Sequence, residues 1–508
     1  MASHDSRTRE LARMAGAILQ PGFEGTRAPD WLRRAVAEGL GGVVLFAPNI
    51  VGAEQVAELN ASLRAENPEL IIAIDEEAGD VTRIEARTGS TRPGNLALGT
   101  VDDVALTEAI ARDLGLELAA AGFSLNYAPS ADVNSNPLNP VIGVRSFGAD
   151  LDLVNRHTVA WVRGLQSAGV AACAKHFPGH GDTDVDSHLG LPRVNAPLET
   201  VVAVGLPPFR AAIEAGVQAI MTAHLMVPCY DPDLPATLSP RILTGLLRGE
   251  LGFEGVVISD AIEMAAVSER YGMAGAAVRA VAAGADAICV GGEHVDEGTY
   301  LGLRDALVAA VLDGDLAEER LADAAARVAA MAARTGPRPA GDEDRAAGLG
   351  LDAARRALRV EVSRDGALPL RSPAHVVELV PQVNRAIDRR TPWGLAEPLQ
   401  GLVPGTTAER LTESQLAQSP DPLAATLVAA RDRPLVVVVR DAHRLPWMAA
   451  AASRLLQARP DAIVVDMGIP GHLDGAAAYV ATQGATLVAG QAAAELLAGA
   501  GKLAGVEG

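Results

Sequence analysis

At 508 residues, with 49% hydrophobic and only 3% aromatic residues, the chain is long enough for two domains whose cores must be aliphatic. A formal net charge of −20 argues against nucleic acid or an anionic membrane surface as partner, because both attract basic patches. Three widely spaced cysteines, Cys173, Cys229 and Cys289, do not make a disulfide framework; they read as free thiols in a reducing, cytoplasmic setting. The N-terminal MASHDSRTRELARMAGAIL lacks the apolar core and cleavage site of a secretory leader, and no apolar run is long enough to span a membrane.

Short apolar runs recur through the first two thirds of the chain. In order they are MAGAILQ (14–20), GVVLF (42–46), LIIAID (70–75), SLNYAP (124–129), GVAACAKH (169–176), AIMTAH (219–224), GVVISD (255–260) and AICVG (287–291). Continuous apolar strands, as opposed to alternating ones, are the mark of parallel strands covered on both faces. Amphipathic segments such as AEQVAELNASLRAE (53–66) and SPRILTGLLRGELG (239–252) lie between them. Eight β/α alternations predict a (β/α)8 barrel of the TIM type over residues 1–335. TGPRPAGDEDRAAGLG (335–350) is rich in Pro, Gly and charge and reads as a linker over 336–350. Beyond it, a helix near 351–363 and apolar runs at 376–381, 434–441, 462–468 and 485–490 predict a smaller three-layer α/β sandwich over 351–508. This part carries no phosphate loop and no nucleotide fingerprint.

The strands of the first part end on polar residues: Asp75, Lys175 with His176, His224, and Asp260. Any one of these could be a turn or a helix cap. Four of them, with Asp, Lys and His chemistry, point to the face of a barrel where active sites are built. The densest stretch is KHFPGHGDTDVDSHLGLP, from Lys175 to Pro192. As a metal site, His176, His180, Asp182, Asp186 and His188 could supply ligands. The glycines and Pro178, however, make an irregular loop with no helix to set His176 and His180 on one face, so neither a metal nor a cofactor is expected. A merely solvated turn is the plainer alternative.

The reading that uses the residues best is acid/base catalysis. A carboxylate two residues from a histidine, as Asp186 is from His188, can orient the ring and favour its protonated form. A carboxylate on another strand end, Asp260, would serve as nucleophile or electrostatic partner. Lys175 and His176 could hydrogen-bond the hydroxyls of a polar substrate. That combination suggests glycoside cleavage.

KHFPGHGDTDVDSHLGLP, with IDEEAG (74–79), NYAPSADV (126–133), VIGVRSF (141–147) and GVVISDAIEM (255–264), resembles the glycoside hydrolase family 3 β-N-acetylglucosaminidases of the NagZ type. The motifs stand in family order over residues 14–335, and the region from about 355 onward resembles the sandwich domain of the longer members. The resemblance implies Asp260 as a nucleophile that forms a glycosyl-enzyme, His188 as acid/base and Asp186 as its dyad partner. It implies Lys175, His176, Asp75, Arg83 and Arg145 as substrate-binding residues, with His180 and Asp182 only shaping the loop. The expected partner is a small carbohydrate from cell wall or chitin, with nucleic acid and membrane excluded and a homodimer left open.

One departure stands out. Where the family pattern reads D-x-E-G-G-R, this chain reads Asp75, Glu76, Glu77, Ala78, Gly79, Asp80, so an acidic residue replaces a basic one beside the expected subsite. That places the exact sugar in question more than the chemistry. Two rivals remain. One is a phosphorylase of the same family with phosphate as acceptor, and the other is a non-catalytic sugar-binding protein descended from the enzyme.

Overall fold

The computed structural model describes residues 2–186, 190–291, 296–335, 348–418 and 421–500. The eight apolar runs of the first part form eight parallel strands: β1 (Leu19–Pro21), β2 (Gly42–Leu45), β3 (Ile71–Ile74), β4 (Leu125–Asn126), β5 (Ala171–Phe177), β6 (Ala219–Thr222), β7 (Val256–Ser259) and β8 (Ile288–Val290). β2 to β7 pair in chain order, and β8 pairs with β1. An Ile258–Ala287 bridge joins β7 to the start of β8, and the Gly41 N–H donates to the Gly16 carbonyl just before β2. The eight strands thus follow one another around a (β/α)8 barrel. At the last join a Cβ on Gly41 would lie 1.8 Å from the Ala17 carbonyl oxygen, so only glycine lets the backbones approach. Every strand residue is buried, as parallel strands with two covered faces require.

One segment differs locally from the sequence reading. MAGAILQ was expected as strand throughout, but a helix runs Ala2–Ala17 and β1 begins only at Leu19. Leu11, Met14, Ala15 and Ile18 are all buried at helical spacing, which explains the longer helix. The segment 239–252 is helical from Arg241 to Glu250, with Ile242, Leu243, Leu246 and Leu247 turned inward.

The chain divides into two compact units. The first comprises residues 1–77, 104–142 and 149–345, and the second 78–103, 143–148 and 346–508. Residues 78–103 and 143–148, which the linear reading assigned to the barrel, therefore group with the second unit.

The second unit holds a six-stranded sheet in the order β11-β10-β12-β13-β14-β9. Its strands are β9 (Arg359–Val362), β10 (His375–Val380), β11 (Thr407–Thr412), β12 (Leu435–Val439), β13 (Ile463–Asp466) and β14 (Ala478–Ala481). All are parallel except β9, which runs antiparallel to β14 at the edge. Alternate residues feed two cores. Val376, Val436, Val438 and Val465 pack with Leu399, Ala493 and Leu497 on one face, while Val377, Val437, Val439 and Val464 pack with Met448, Ala452 and Leu455 on the other. Helices cover both faces, which makes the three layers expected.

Here too the sequence reading needs correction. ATLVAG is not a strand. Thr486 caps a helix Leu487–Ala498 by accepting from the Ala489 N–H, and Val488, Ala489, Ala492, Ala493, Leu496 and Leu497 are buried at helical spacing. A short apolar run does not distinguish the two. The strand lies instead in the alanine-rich stretch before it, at β14. The helix expected over 351–363 is Leu349–Ala357, followed by the largely exposed edge strand β9.

The unexpected Asp80 finds its explanation within this unit. Its carboxylate is buried, Oδ2 lying 2.5 Å from the Arg440 guanidinium and Oδ1 accepting the Ala485 N–H at 2.8 Å. Arg440 directly follows β12 and also stacks over Trp393, 5.5 Å from the ring centre. Val81 packs with Val383, Ala386 and Ile387, from the segment that follows β10. The chain departs from β10 to both sides of the sheet, so the carboxyl ends of β10 and β12 form its switch point, where open α/β sheets bind ligands. In this chain its own Asp80 and Val81 pack there. The backbone leading in is tight: Ala78 and Gly79 are both left-handed, with φ of 58° and 70°. A Cβ on Gly79 would lie 2.4 Å from the Gly94 Cα, so this glycine is required, whereas Ala78 accepts the left-handed conformation at a cost of about 1 kcal/mol.

Arg440→Ala strands a buried carboxylate and should destabilise the full chain by roughly 3–5 kcal/mol in chemical unfolding. Adding Asp80→Ala should recover part of that loss, because the two changes remove one interaction. A single-variant change within about 0.5 kcal/mol would show that the pair is not what holds residues 78–103 in place.

Candidate active site

Strands β3, β5 and β7 bring the expected polar residues to their carboxyl ends. After β3, the backbone of Glu76 is clamped by Asn126, which ends β4: Asn126 Oδ1 accepts the Glu76 N–H at 2.9 Å and Nδ2 donates to the Glu76 carbonyl at 2.7 Å. Asp75 and Glu77 both meet Lys175, whose Nζ lies 2.5 Å from Asp75 Oδ1 and 2.6 Å from Glu77 Oε1. Lys175 and Glu77 are 3% exposed at the side chain, against 16% for Asp75, so Asp75 is the member of the trio that still meets solvent. One ammonium between two carboxylates leaves the trio formally at −1.

Lys175 and His176 are neighbours in β5, and in a regular strand they would face opposite ways. The pairing of β5 with β6 slips between Ala174 and Phe177, giving β5 one extra residue there. Such a bulge re-aims side chains. Here it turns Lys175 toward the residues after β3 and His176 toward those after β4.

His176 lands on Asp132. Its Nδ1 lies 2.7 Å from Asp132 Oδ2, and a carboxylate can only accept, so Nδ1 carries the proton. Asp132, with no exposed surface, also accepts the His180 N–H at 2.6 Å and the Ser130 hydroxyl at 3.0 Å. Burial would raise this carboxyl, but His176 and His180 outweigh it and hold the pKa below its usual range.

His180 is a second buried ring. Its Nδ1 meets Thr183 Oγ1 at 2.7 Å, and Asn139 Nδ2 donates to its carbonyl at 2.9 Å. A Cβ on Gly181 would fall 1.7 Å from the Val133 carbonyl oxygen, so the loop lies directly on the segment after β4 and needs a glycine there. Burial, then the neighbouring His176, push His180 down to about 4. Asp182 is exposed. Among the described residues no group of three or more His, Cys, Asp and Glu is placed to hold a metal ion.

Asp260 follows β7 and is half-buried among buried neighbours. Its N–H donates to the Thr222 carbonyl at 3.2 Å, and its Oδ1 accepts the Ala261 N–H at 2.8 Å. The Cys173 thiol, pushed well up by burial, feels the charges of Lys175, Asp75 and Asp260 together, so all three lie within electrostatic reach of one buried thiol. Asp186 is buried, its carbonyl accepting the Gly190 N–H at 3.2 Å. His188 lies outside the described residues.

Arg83 and Arg145 do not belong to this cluster's unit. Both are buried in the second unit, where Arg145 closes a turn at Gly143–Arg145 and its carbonyl accepts from Asn95 Nδ2 at 2.7 Å. Sequence reasoning missed Glu77 and Asp132. The signal for Glu77 was its spacing of two from Asp75 on an extended segment, which turns both side chains the same way. For Asp132 it was a charge following the small residues Pro129, Ser130 and Ala131.

Comparison with known proteins identifies the family. The family described as "Glycosyl hydrolase family 3 N terminal domain" matches residues 25–331. The chain belongs to glycosyl hydrolase family 3. It is 36% identical to a glycoside hydrolase family 3 beta-N-acetylglucosaminidase from Paenibacillus sp. str. FPU-7, with a TM-score of 0.86 over 96% of this chain and 97% of that one. It is 35% identical to "Beta-hexosaminidase A" of Pseudoalteromonas piscicida over 71% of this chain, an alignment that spans 65% of that relative's length. It is 37% identical to a "Beta-hexosaminidase" of Stenotrophomonas maltophilia (strain K279a) over 60% of this chain and 95% of the relative.

His180 supplies a pH test. In the folded chain it binds a proton only near pH 4, and in the unfolded chain near pH 6.5. Its contribution is therefore complete above pH 6.5 and is lost as pH falls toward 4, by an amount on the order of 3 kcal/mol. Denaturant midpoints of wild type and His180→Gln, compared at pH 7.5 and pH 4.5, should show the smaller pH loss in the variant. Equal losses would mean that His180 is not buried as a neutral ring.

Proposed function

We propose that this family 3 glycosidase removes terminal β-linked N-acetylglucosamine from oligosaccharides or glycosides derived from cell wall or chitin, with retention of anomeric configuration. The observation that carries the reading is the placement of Asp75, Lys175 and Asp260 toward the carboxyl ends of β3, β5 and β7, with Lys175 paired to Asp75. N-acetylglucosamine as the sugar is supported by the name of one relative, the beta-N-acetylglucosaminidase of Paenibacillus sp. str. FPU-7. In the first step an oxygen of Asp260 bonds to the anomeric carbon as the bond to the leaving oxygen breaks, and His188 gives that oxygen its proton. In the second step water attacks the same carbon, passes a proton to His188 and releases Asp260. Asp186 orients His188 in this scheme. Asp75 and His176 bind sugar hydroxyls, with Lys175 holding Asp75 in place, and Arg83 and Arg145 are proposed as sugar ligands on the family resemblance alone.

Three free cysteines suit a reducing compartment, and we place the enzyme in the cytoplasm, where recycled wall fragments would be its substrates. Among the described residues no helix is long and apolar enough to cross a membrane.

The deciding experiment is turnover of a panel of aryl glycosides, with and without millimolar phosphate. The expected result is release of free N-acetylglucosamine from its β-aryl glycoside, with little activity on the matching glucoside. A sugar 1-phosphate as main product would make the protein a phosphorylase, and absence of any turnover would favour a sugar-binding protein. Asp260→Asn should lower kcat by roughly 10⁴-fold while leaving the unfolding midpoint unchanged. Near-normal turnover in the folded variant would remove Asp260 as nucleophile.

A further inference from the structure

His224, two residues beyond β6, is buried with no exposed surface, and the mechanism above gives it no task. Its Nε2 lies 3.0 Å from the Ala261 carbonyl oxygen. A carbonyl can only accept, so Nε2 must carry a proton and donate it. On the other side of the ring, Nδ1 lies 2.8 Å from Thr237 Oγ1. That hydroxyl is itself fixed, 2.6 Å from Thr222 Oγ1 and 2.9 Å from the Ala223 carbonyl. Both threonines are fully buried, and Thr237 sits in a single turn at Ala236–Leu238. The imidazole is therefore a strut with a defined proton at the end that meets Ala261.

Ala261 is the residue through which this strut reaches the reaction. Its N–H donates to Asp260 Oδ1, the carboxylate assigned to attack the sugar. Its carbonyl is the group His224 holds. Rotation of Ala261 would swing that N–H away from Oδ1 and release the carboxylate from its orientation. Thr222 acts on the same turn from the other side, since its carbonyl accepts the Asp260 N–H. The end of β6 and His224 thus restrain the nucleophile twice, once at its own N–H and once through Ala261.

We infer that His224 is a positioning residue for the nucleophile: by donating from Nε2 to the Ala261 carbonyl it fixes the Ala261 N–H that aims the Asp260 carboxylate. This rests on Asp260 being the nucleophile. Both chemical steps pass through Asp260, so His224 serves both, in contrast to a general acid that serves mainly poor leaving groups.

The test uses the full chain with His224→Ala, His224→Gln and Thr237→Val. In His224→Ala, kcat on an aryl N-acetylglucosaminide should fall about 10²-fold, with KM within about threefold, and a better leaving group should not restore it. Gln can place an amide N–H where Nε2 lay, so His224→Gln should recover at least about tenfold of that loss even where both variants melt at the same temperature. If His224→Ala fails to fold, Thr237→Val, which loosens the ring from behind, should lower kcat in the same way. Rates of covalent labelling by a slow fluorosugar of N-acetylglucosamine, with the labelled peptide identified by mass spectrometry, separate the two assignments. Label on Asp260 at the wild-type rate in His224→Ala, or equal kcat in the Gln and Ala variants, overturns the positioning role alone. Label on a different residue in wild type overturns the nucleophile itself and the inference with it.

Discussion

A carboxylate with no exposed surface must be surrounded by donors or lose its charge, and Asp132 is such a group. Its donors include the Ser130 hydroxyl, the His176 ring and backbone N–H, and the His180 backbone N–H. Meeting this one requirement dictates the path of the histidine loop. The chain from His176 to His180 must curl back over the segment after β4, and Gly181 must lack a side chain for it to do so. His176 is then presented in one orientation with its tautomer set. A different residue at 132 would leave both the loop and the ring without a reason to be where they are.

Lys175 solves the complementary problem one residue earlier. It is a buried ammonium whose partners come from the end of β3, and it draws Asp75 and Glu77 into a common frame. The bulge in β5 allows two successive side chains to satisfy two separate charge clusters. The residues after β3 and in β5 are therefore held by ion pairs, while Asp260 is tied to the backbone at the Thr222 carbonyl and the Ala261 N–H.

Much of this was legible in the chain because the physics is local. Parallel strands covered on both faces show as unbroken apolar runs, and a polar residue closing such a run marks the carboxyl end of a barrel strand. Asp75, Lys175, His176, His224 and Asp260 were visible in that way. Pairing was not, since nothing in the spacing of Lys175 and Glu77, or of His176 and Asp132, reveals which strands stand side by side. The second unit was harder for another reason. Its ATLVAG and AYVA segments are both short and apolar, and only the Thr486 cap and the buried helical stripe distinguish one from the other. Asp80 was seen as an anomaly in a sugar site because its partner, Arg440, lies 360 residues away.

That distance has an evolutionary consequence. Asp80 and Val81 are read by the second sheet but encoded inside the barrel, so no single cut separates two self-sufficient halves of the gene. A recombination point in the linker would give a barrel carrying an orphaned acidic segment and a sandwich missing the carboxylate that Arg440 requires. The two parts are bound to be inherited together, and a substitution at either position sets the terms on which the other can change.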